Sequence, residues 1–167
     1  MISLTTTLLH GLLICIPFSI FVMITFVGWP RLWLHSLPPD IIKRAAPKTD
    51  QEKRITNYVL LPIYLVILPG LSVLSVIYMA KTSLHELSWV ATLVHLYAIW
   101  IIVHAWDLIV IDGIAMLLID PAHPPISGTE GASGWKDVRF HFRSFLKAII
   151  MSAIFVVPAA TILFLIL

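Results

Sequence analysis

The sequence predicts an all-α integral membrane protein in which four transmembrane helices form an antiparallel bundle. Hydrophobic residues make up 59% of the 167 residues and charged residues only 12%, with a mean hydropathy of +0.97. A soluble domain averages about 25% charged residues, so this composition indicates that lipid is the solvent. The apolar residues also fall into four runs, each long enough for the ~20 helical residues that cross a bilayer. The short connections between the runs favour antiparallel neighbours.

The four predicted spans belong to a single domain, 1–167. They cover about 4–27, 55–80, 87–112 and 147–167, and the long loops cover 28–54 and 120–146. The first run is longer than the ~7–15 apolar residues of a signal peptide and has no basic residue before it, so it is predicted to be a retained helix. Pro62 and Pro69 are predicted to kink the second span, because each removes a backbone hydrogen bond.

Local signals predict the helix ends and extend three of the helices beyond the bilayer. Thr49 and Glu52 have the spacing of a capping box, which predicts a helix start near Thr49. Asp40 is predicted to cap a short helix, and the last helix is predicted to begin near Ser133 or Gly134. The second, third and fourth helices then have roughly 32–35 residues, about 50 Å at 1.5 Å per residue. Since a bilayer core is ~30 Å thick, these helices are predicted to extend on the cytoplasmic side.

The basic residues predict the orientation and one partner. Nine of the eleven lie in the two long loops and a tenth, Lys147, lies at the boundary of the second, so these loops are predicted to be cytoplasmic and both termini outside, with a bacterial inner membrane as the simplest location. The spacing i, i+3, i+7, i+11 forms a basic stripe of Lys136, Arg139, Arg143 and Lys147. This stripe is predicted to contact anionic lipid head groups, and a solvated face is the alternative. A net charge of +2 is too small to indicate a nucleic-acid partner.

Ionisable residues in or beside the spans are the candidates for chemistry, because such groups are costly in lipid. The third helix carries His104, Asp107 and Asp112, and the last helix carries Asp137 and His141 one turn apart. At 100° per residue His104 lies between the two acids of its helix, and Asp112 and His141 have similar predicted depths. These five residues are predicted to meet across the bundle as ligands of a divalent metal, such as Zn, Mn or Fe, or as an acid–base site.

A metal-dependent enzyme built on this cluster would act on an amphipathic substrate at the cytoplasmic interface, with a metal-bound water as the nucleophile. Its catalytic candidates are Asp112, Glu130 and His141. No GxSxG or HExxH motif is present to assign a reaction. The single cysteine, Cys15, excludes a disulfide within the chain and a cysteine-rich metal site.

Two further functions compete with the enzyme. In the favoured one, the acids of the cluster are structural, and the chain is a scaffold or accessory subunit of a larger membrane complex, with a protein partner or a second copy of itself. In the other, the chain binds haem b or translocates protons. His10 and His95 lie at similar predicted depths in the first and third spans, so they are candidates for the axial ligation of haem. The sequence leaves open whether the protein is an enzyme.

Overall fold

The chain forms helices and connecting loops in a computed structural model that describes residues 3–82 and 88–167. The α helices in these ranges are α1 (Leu4–Gly28), α2 (Pro39–Arg44), α3 (Asp50–Thr82), α4 (Trp89–Leu118) and α5 (Val138–Ile166). Short 3₁₀ turns cover Pro30–Ser36 and Ser133–Lys136. Four helices, α1, α3, α4 and α5, are long and apolar enough to cross a membrane. The predicted all-α class and the four candidate membrane helices are therefore confirmed.

The predicted helix start is correct at Thr49 and is not matched at Asp40 or at the last helix. Thr49 and Glu52 form the predicted capping box, in which the Glu52 carboxylate accepts the Thr49 N–H at 2.7 Å. The last helix begins later than predicted, at Val138, because a 3₁₀ turn precedes it and Asp137 is its N-cap. The prediction that Asp40 caps the short helix is wrong, since the helix begins at Pro39 and Asp40 lies in its first turn.

Two of the long helices contain a π-helical segment. In α3 the segment covers Ile63–Ile67, and in α4 it covers Asp107–Asp112. The first lies between Pro62 and Pro69, which are the two residues that were expected to disturb this helix by removing backbone hydrogen bonds. The second segment has no proline beside it and begins directly after Trp106. Such segments are rare and occur frequently at functional sites.

Helix α4 lies at the centre of the bundle, where it packs against α5 on one side and α1 on the other. Ile14, Phe18 and Val22 of α1 pack in one buried cluster with Ile99 and Val103 of α4. The two backbones approach closely at Gly11 of α1, where an added Cβ would lie 2.8 Å from the Ile102 Cδ1 atom. A larger residue at Gly11 would therefore push the two helices apart.

The two long loops pack against each other and form a second buried cluster. We call it the loop cap; it consists of residues 30–45 and 126–136, and the end of the bundle that it covers is the loop end. Its buried side chains are Leu34, Leu37, Ile41, Ala45, Ile126, Ala132 and Trp135. The cap is a compact apolar unit, although both of its segments come from loops.

Hydrogen bonds from one loop to the other hold the cap together. The Asp40 Oδ2 atom accepts the Gly134 N–H at 2.8 Å and the Ser133 hydroxyl at 3.3 Å, while Arg44 donates to the Glu130 carbonyl at 2.9 Å. Burial raises the pKa of Asp40, but the bonds led by the Gly134 N–H outweigh it and hold that pKa below the usual range. Glycine is strongly favoured at residue 134, since a Cβ there would overlap the Asp40 carboxylate and lie 2.7 Å from the Pro38 Cβ.

Candidate functional site

Two cavities lie at the loop end of the bundle and share one polar wall. The loop-side cavity, of about 170 Å³, lies between the loop cap, α1 and α4. The bundle-side cavity, of about 200 Å³, lies between α1, α3, α4 and α5. Both are lined by the same five residues, which we call the polar site: Tyr64, Asp107, Asp112, His141 and Ser144.

The strongest polar contact of this site joins α4 to α5. The Asp112 Oδ2 atom lies 2.7 Å from the His141 Nδ1 atom, and the two side chains are 26% and 13% exposed. This is the contact that equal depths on two helices predicted. In a neutral imidazole, an Nδ1–H that donates to Asp112 leaves the Nε2 atom as an acceptor for another group.

The π segment of α4 brings the second acid to the same wall. Asp107 and Asp112 stand at its two ends, five residues apart. In a regular α-helix these positions would point about 140° apart, whereas i→i+5 hydrogen bonding widens the turn and reduces that angle. Both carboxylates therefore line both cavities. Tyr64 comes from the π segment of α3, so each π segment contributes to the polar site.

The other candidate residues from the sequence lie outside the polar site. His104 lines the bundle-side cavity, but its Nε2 atom contacts the Ser152 hydroxyl at 3.0 Å. The Asp137 carboxylate accepts the Phe140 N–H at 3.0 Å as a helix cap. Glu130 is exposed and accepts the Gly128 N–H within its own turn.

The predicted metal ligands do not gather into one group. Among residues 3–82 and 88–167, no three His, Cys, Asp or Glu side chains converge in a way that could hold a metal ion. The acids and histidines of the polar site are thus arranged as one close pair, Asp112 with His141, beside a separate carboxylate, Asp107.

The two histidines considered for haem lie in a hydrogen-bonded chain outside both of these cavities. The Ser75 hydroxyl is 2.6 Å from His10 Nδ1 and 2.7 Å from His95 Nε2, and the Thr7 hydroxyl is 2.8 Å from His95 Nδ1. His95 is only 1% exposed, so both nitrogens of a buried ring are occupied by hydroxyls. Haem ligation by His95 would have to break one of these contacts.

Three residues of the cavities were not singled out by the sequence. Tyr64 lies in a long apolar run and nothing marks it. Ser144 follows His141 by three residues, a spacing that places both on one helix face and was the available signal. Trp100 lines the bundle-side cavity, and its Nε1 atom is buried without a hydrogen-bond partner among the described residues.

The described lining of the two cavities contains carboxylates but no lysine or arginine. Although the chain has eleven lysines and arginines, none of them is among the described residues that line either cavity. The ionisable lining groups are two carboxylates, two histidines and one tyrosine. Among the described lining residues, the two imidazoles are the only groups that can carry a positive charge.

Comparisons with protein-family models, with curated proteins and with solved structures find no match to this chain. The fold and site thus define a class only: an all-helical protein with four helices that are long and apolar enough to cross a membrane, and a His–carboxylate pair between two cavities.

Proposed function

We propose that this integral membrane protein binds an amphipathic molecule at the polar site and that His141 takes up or releases a proton on binding. The observation that carries the proposal is the Asp112–His141 contact, which lies where the two cavities share a wall. Large apolar cavities with a few convergent polar groups are the usual binding sites of small molecules.

The walls of the loop-side cavity fit the apolar part of such a molecule. Val22, Phe26, Ile111, Met116 and Ile119 line it, together with buried residues of the loop cap. An apolar chain in contact with these side chains would place its polar end against the polar site. Each CH₂ group that moves from water into the cavity would contribute about 0.8 kcal/mol to binding.

His141 is the group that would exchange the proton. Its Nδ1 contact with Asp112 fixes the orientation of the ring, and the Nε2 atom is the acceptor through which His141 can take up a proton on binding and release it again. Asp112 acts as a positioning residue through His141. The sequence predicted a metal as an alternative, but a metal would need a third ligand, and Asp107 is the residue that would have to supply it.

We also infer the topology that this function needs. Two contacts support helices that alternate in direction. Ser75, near the end of α3, contacts His95, near the start of α4. The Trp89 indole at the start of α4 donates to the Thr161 hydroxyl near the end of α5, at 3.1 Å. The concentration of basic residues in the two loops supports a loop cap in the cytoplasm. Cysteine reporters in a Cys15→Ala background, labelled from either side of the membrane, test this orientation.

The accessory-subunit function stays a prediction, because no contact of the described residues favours a particular partner. Extraction in mild detergent tests it: a larger protein should come down with the chain if it is a subunit, and a stable solitary chain would count against it. The lipid contact also stays a prediction. Within the stripe, Lys136 donates to the Met116 carbonyl, which leaves Arg139, Arg143 and Lys147 for head groups.

A binding experiment tests the proposed function. The protein is placed in nanodiscs of zwitterionic lipid and titrated with four decyl amphiphiles below their critical micelle concentrations. Their head groups are trimethylammonium, phosphocholine, maltoside and sulfate. Tryptophan fluorescence reports binding, because Trp33, Trp100 and Trp135 line the cavities, and calorimetry in two buffers reports the protons exchanged.

At least one amphiphile should bind above the background of empty nanodiscs, with a proton exchange that His141→Gln abolishes. The chain contains a matched control in the exposed His123–Asp120 pair, whose Nδ1–Oδ2 distance is 2.9 Å and which lines neither cavity. His123→Gln should leave both quantities unchanged. The proposal fails if no amphiphile binds above background, or if the two glutamine variants behave alike.

A further inference from the structure

We propose that the bundle-side cavity selects a lipophilic organic cation, which is an amine or quaternary ammonium group that carries an apolar chain. This proposal rests on the proposed function and names its ligand class. It depends on three properties of the cavity, which are an unpaired carboxylate, a set of aromatic walls and the absence of lysine and arginine from its described lining.

The carboxylate is Asp107. Within residues 3–82 and 88–167 it takes part in no ion pair, whereas the neighbouring Asp112 is paired with His141. Asp107 is partly buried and lines both cavities. A carboxylate removed from water is costly unless an opposite charge compensates it. With no lysine or arginine at hand, a cationic ligand would supply that compensation.

The aromatic walls come from four different helices. Phe18 of α1, Tyr64 of α3, Trp100 of α4 and Phe145 of α5 all line the bundle-side cavity. Aromatic faces attract ammonium groups by about 0.5–1 kcal/mol at exposed sites and about 2 kcal/mol or more when water is excluded. Aromatic groups around a carboxylate suit a large, weakly hydrated cation. A small metal ion would require several oxygen ligands.

The same features disfavour an anionic ligand. Two carboxylates would repel a phosphate or sulfate, and no arginine or lysine lines the cavity to bind it. The basic residues of α5 point elsewhere: Arg139 is two residues from His141, which corresponds to about 200° around the helix. They lie on the outer side of α5, where they contact the surroundings of the bundle and not its interior.

The test compares two ligands that differ in a single atom. Decyltrimethylammonium and its neutral isostere, in which carbon replaces the charged nitrogen, are titrated into wild-type protein in zwitterionic nanodiscs, with empty nanodiscs as the background. The ammonium compound should bind about ten-fold more tightly or better, since 1.4 kcal/mol corresponds to a factor of ten. Equal affinity, or tighter binding of decyl sulfate, would overturn the proposal.

Variants locate the effect. Asp107→Asn should remove the preference for the charged compound while the neutral isostere binds as before. Trp100→Leu should weaken the ammonium compound about two- to thirty-fold, in keeping with the loss of one cation–π contact. Trp106→Leu is the matched control, because Trp106 donates to the Ser19 hydroxyl at 2.8 Å and lines neither cavity. A preference for the cation that persists in Asp107→Asn would overturn the assignment.

The outcomes also separate this inference from the proposed function. Binding that depends on His141 but is indifferent to the ligand's charge would retain the proposed function and refute the cation specificity. Absence of binding by any of the amphiphiles would refute both.

Discussion

Gly134→Ala is the most direct perturbation of the loop cap. The new Cβ would overlap the Asp40 carboxylate and lie 2.7 Å from the Pro38 Cβ, against the usual van der Waals separation of about 3.5–4 Å. Either the carboxylate moves and the 2.8 Å bond from the Gly134 N–H is lost, or the loop shifts as a whole. The contact that joins the two loops is weakened in both cases.

The expected cost is about 2–4 kcal/mol of local stability. A hydrogen bond to a charged group contributes about 1.5–3 kcal/mol, and overpacking of a close contact costs about 1–3 kcal/mol. The two costs do not add fully, since the shift that relieves the overlap is also the shift that breaks the bond. A loss of this size corresponds to a roughly 30- to 700-fold larger population of the open cap.

Hydrogen exchange measured by mass spectrometry tests this magnitude, because it reports local opening segment by segment. Amide protection in residues 126–136 should fall by that factor in Gly134→Ala. Gly131→Ala is the matched control: nothing lies within 4 Å of its Cβ position, and its φ of +68° implies a cost of only about 1–2 kcal/mol.

A double-mutant cycle identifies the cause. In an Asp40→Ala background the effect of Gly134→Ala should shrink by at least about 1 kcal/mol, because the overlapping carboxylate is gone. The reasoning is refuted if Gly134→Ala costs no more than Gly131→Ala, or if its cost is unchanged when Asp40 is removed.

Three other predictions concern single residues. The pKa of Asp40 is lower in the folded protein than in the unfolded chain. The stabilisation that ionised Asp40 supplies is therefore complete above the unfolded pKa of about 3.9 and is lost as the pH falls through the folded pKa. Amide protection of residues 126–136, corrected for intrinsic exchange, should drop below about pH 4, and Asp40→Asn should abolish this pH dependence. Trp100→Phe removes an unpaired buried N–H and should leave the thermal midpoint unchanged or raised, whereas Trp33→Phe, which loses a 3.1 Å bond to a threonine hydroxyl, should lower it. Ser75→Ala should cost about 1–3 kcal/mol more than Ser72→Ala in chemical unfolding, because the Ser75 hydroxyl bridges two histidines while that of Ser72 bonds only to its own helix; equal costs would contradict the bridge.

Much of the fold followed from local physics. The four apolar runs predicted the four long helices, since length and hydropathy alone decide whether a helix can cross a bilayer. The capping box at Thr49 was predictable because both of its partners lie within one turn. Asp40 was assigned wrongly because its actual partner, the Gly134 N–H, lies 94 residues away, and no local pattern encodes a contact of that range.

The central pair of the candidate site was predictable, but the position of Asp107 beside it was not. Equal depth predicted that Asp112 and His141 could meet, and they do. The regular angle of 100° per residue placed Asp107 and Asp112 apart, and only the π segment between them brings both to one wall. Asp137 has the spacing of a ligand beside His141, yet its carboxylate caps α5, a role that competes for the same oxygen atoms.

The Asp40–Gly134 contact also dictates an order of assembly during synthesis. At about 5–20 residues per second, a ribosome adds Gly134 roughly 5–20 s after Asp40. Throughout that interval Ile41 of α2, and Leu37 just before this helix, have no Trp135 to pack against. Closure of the cap is therefore a late event in biogenesis, and a chain released before residue 126 would expose these side chains to quality-control proteases.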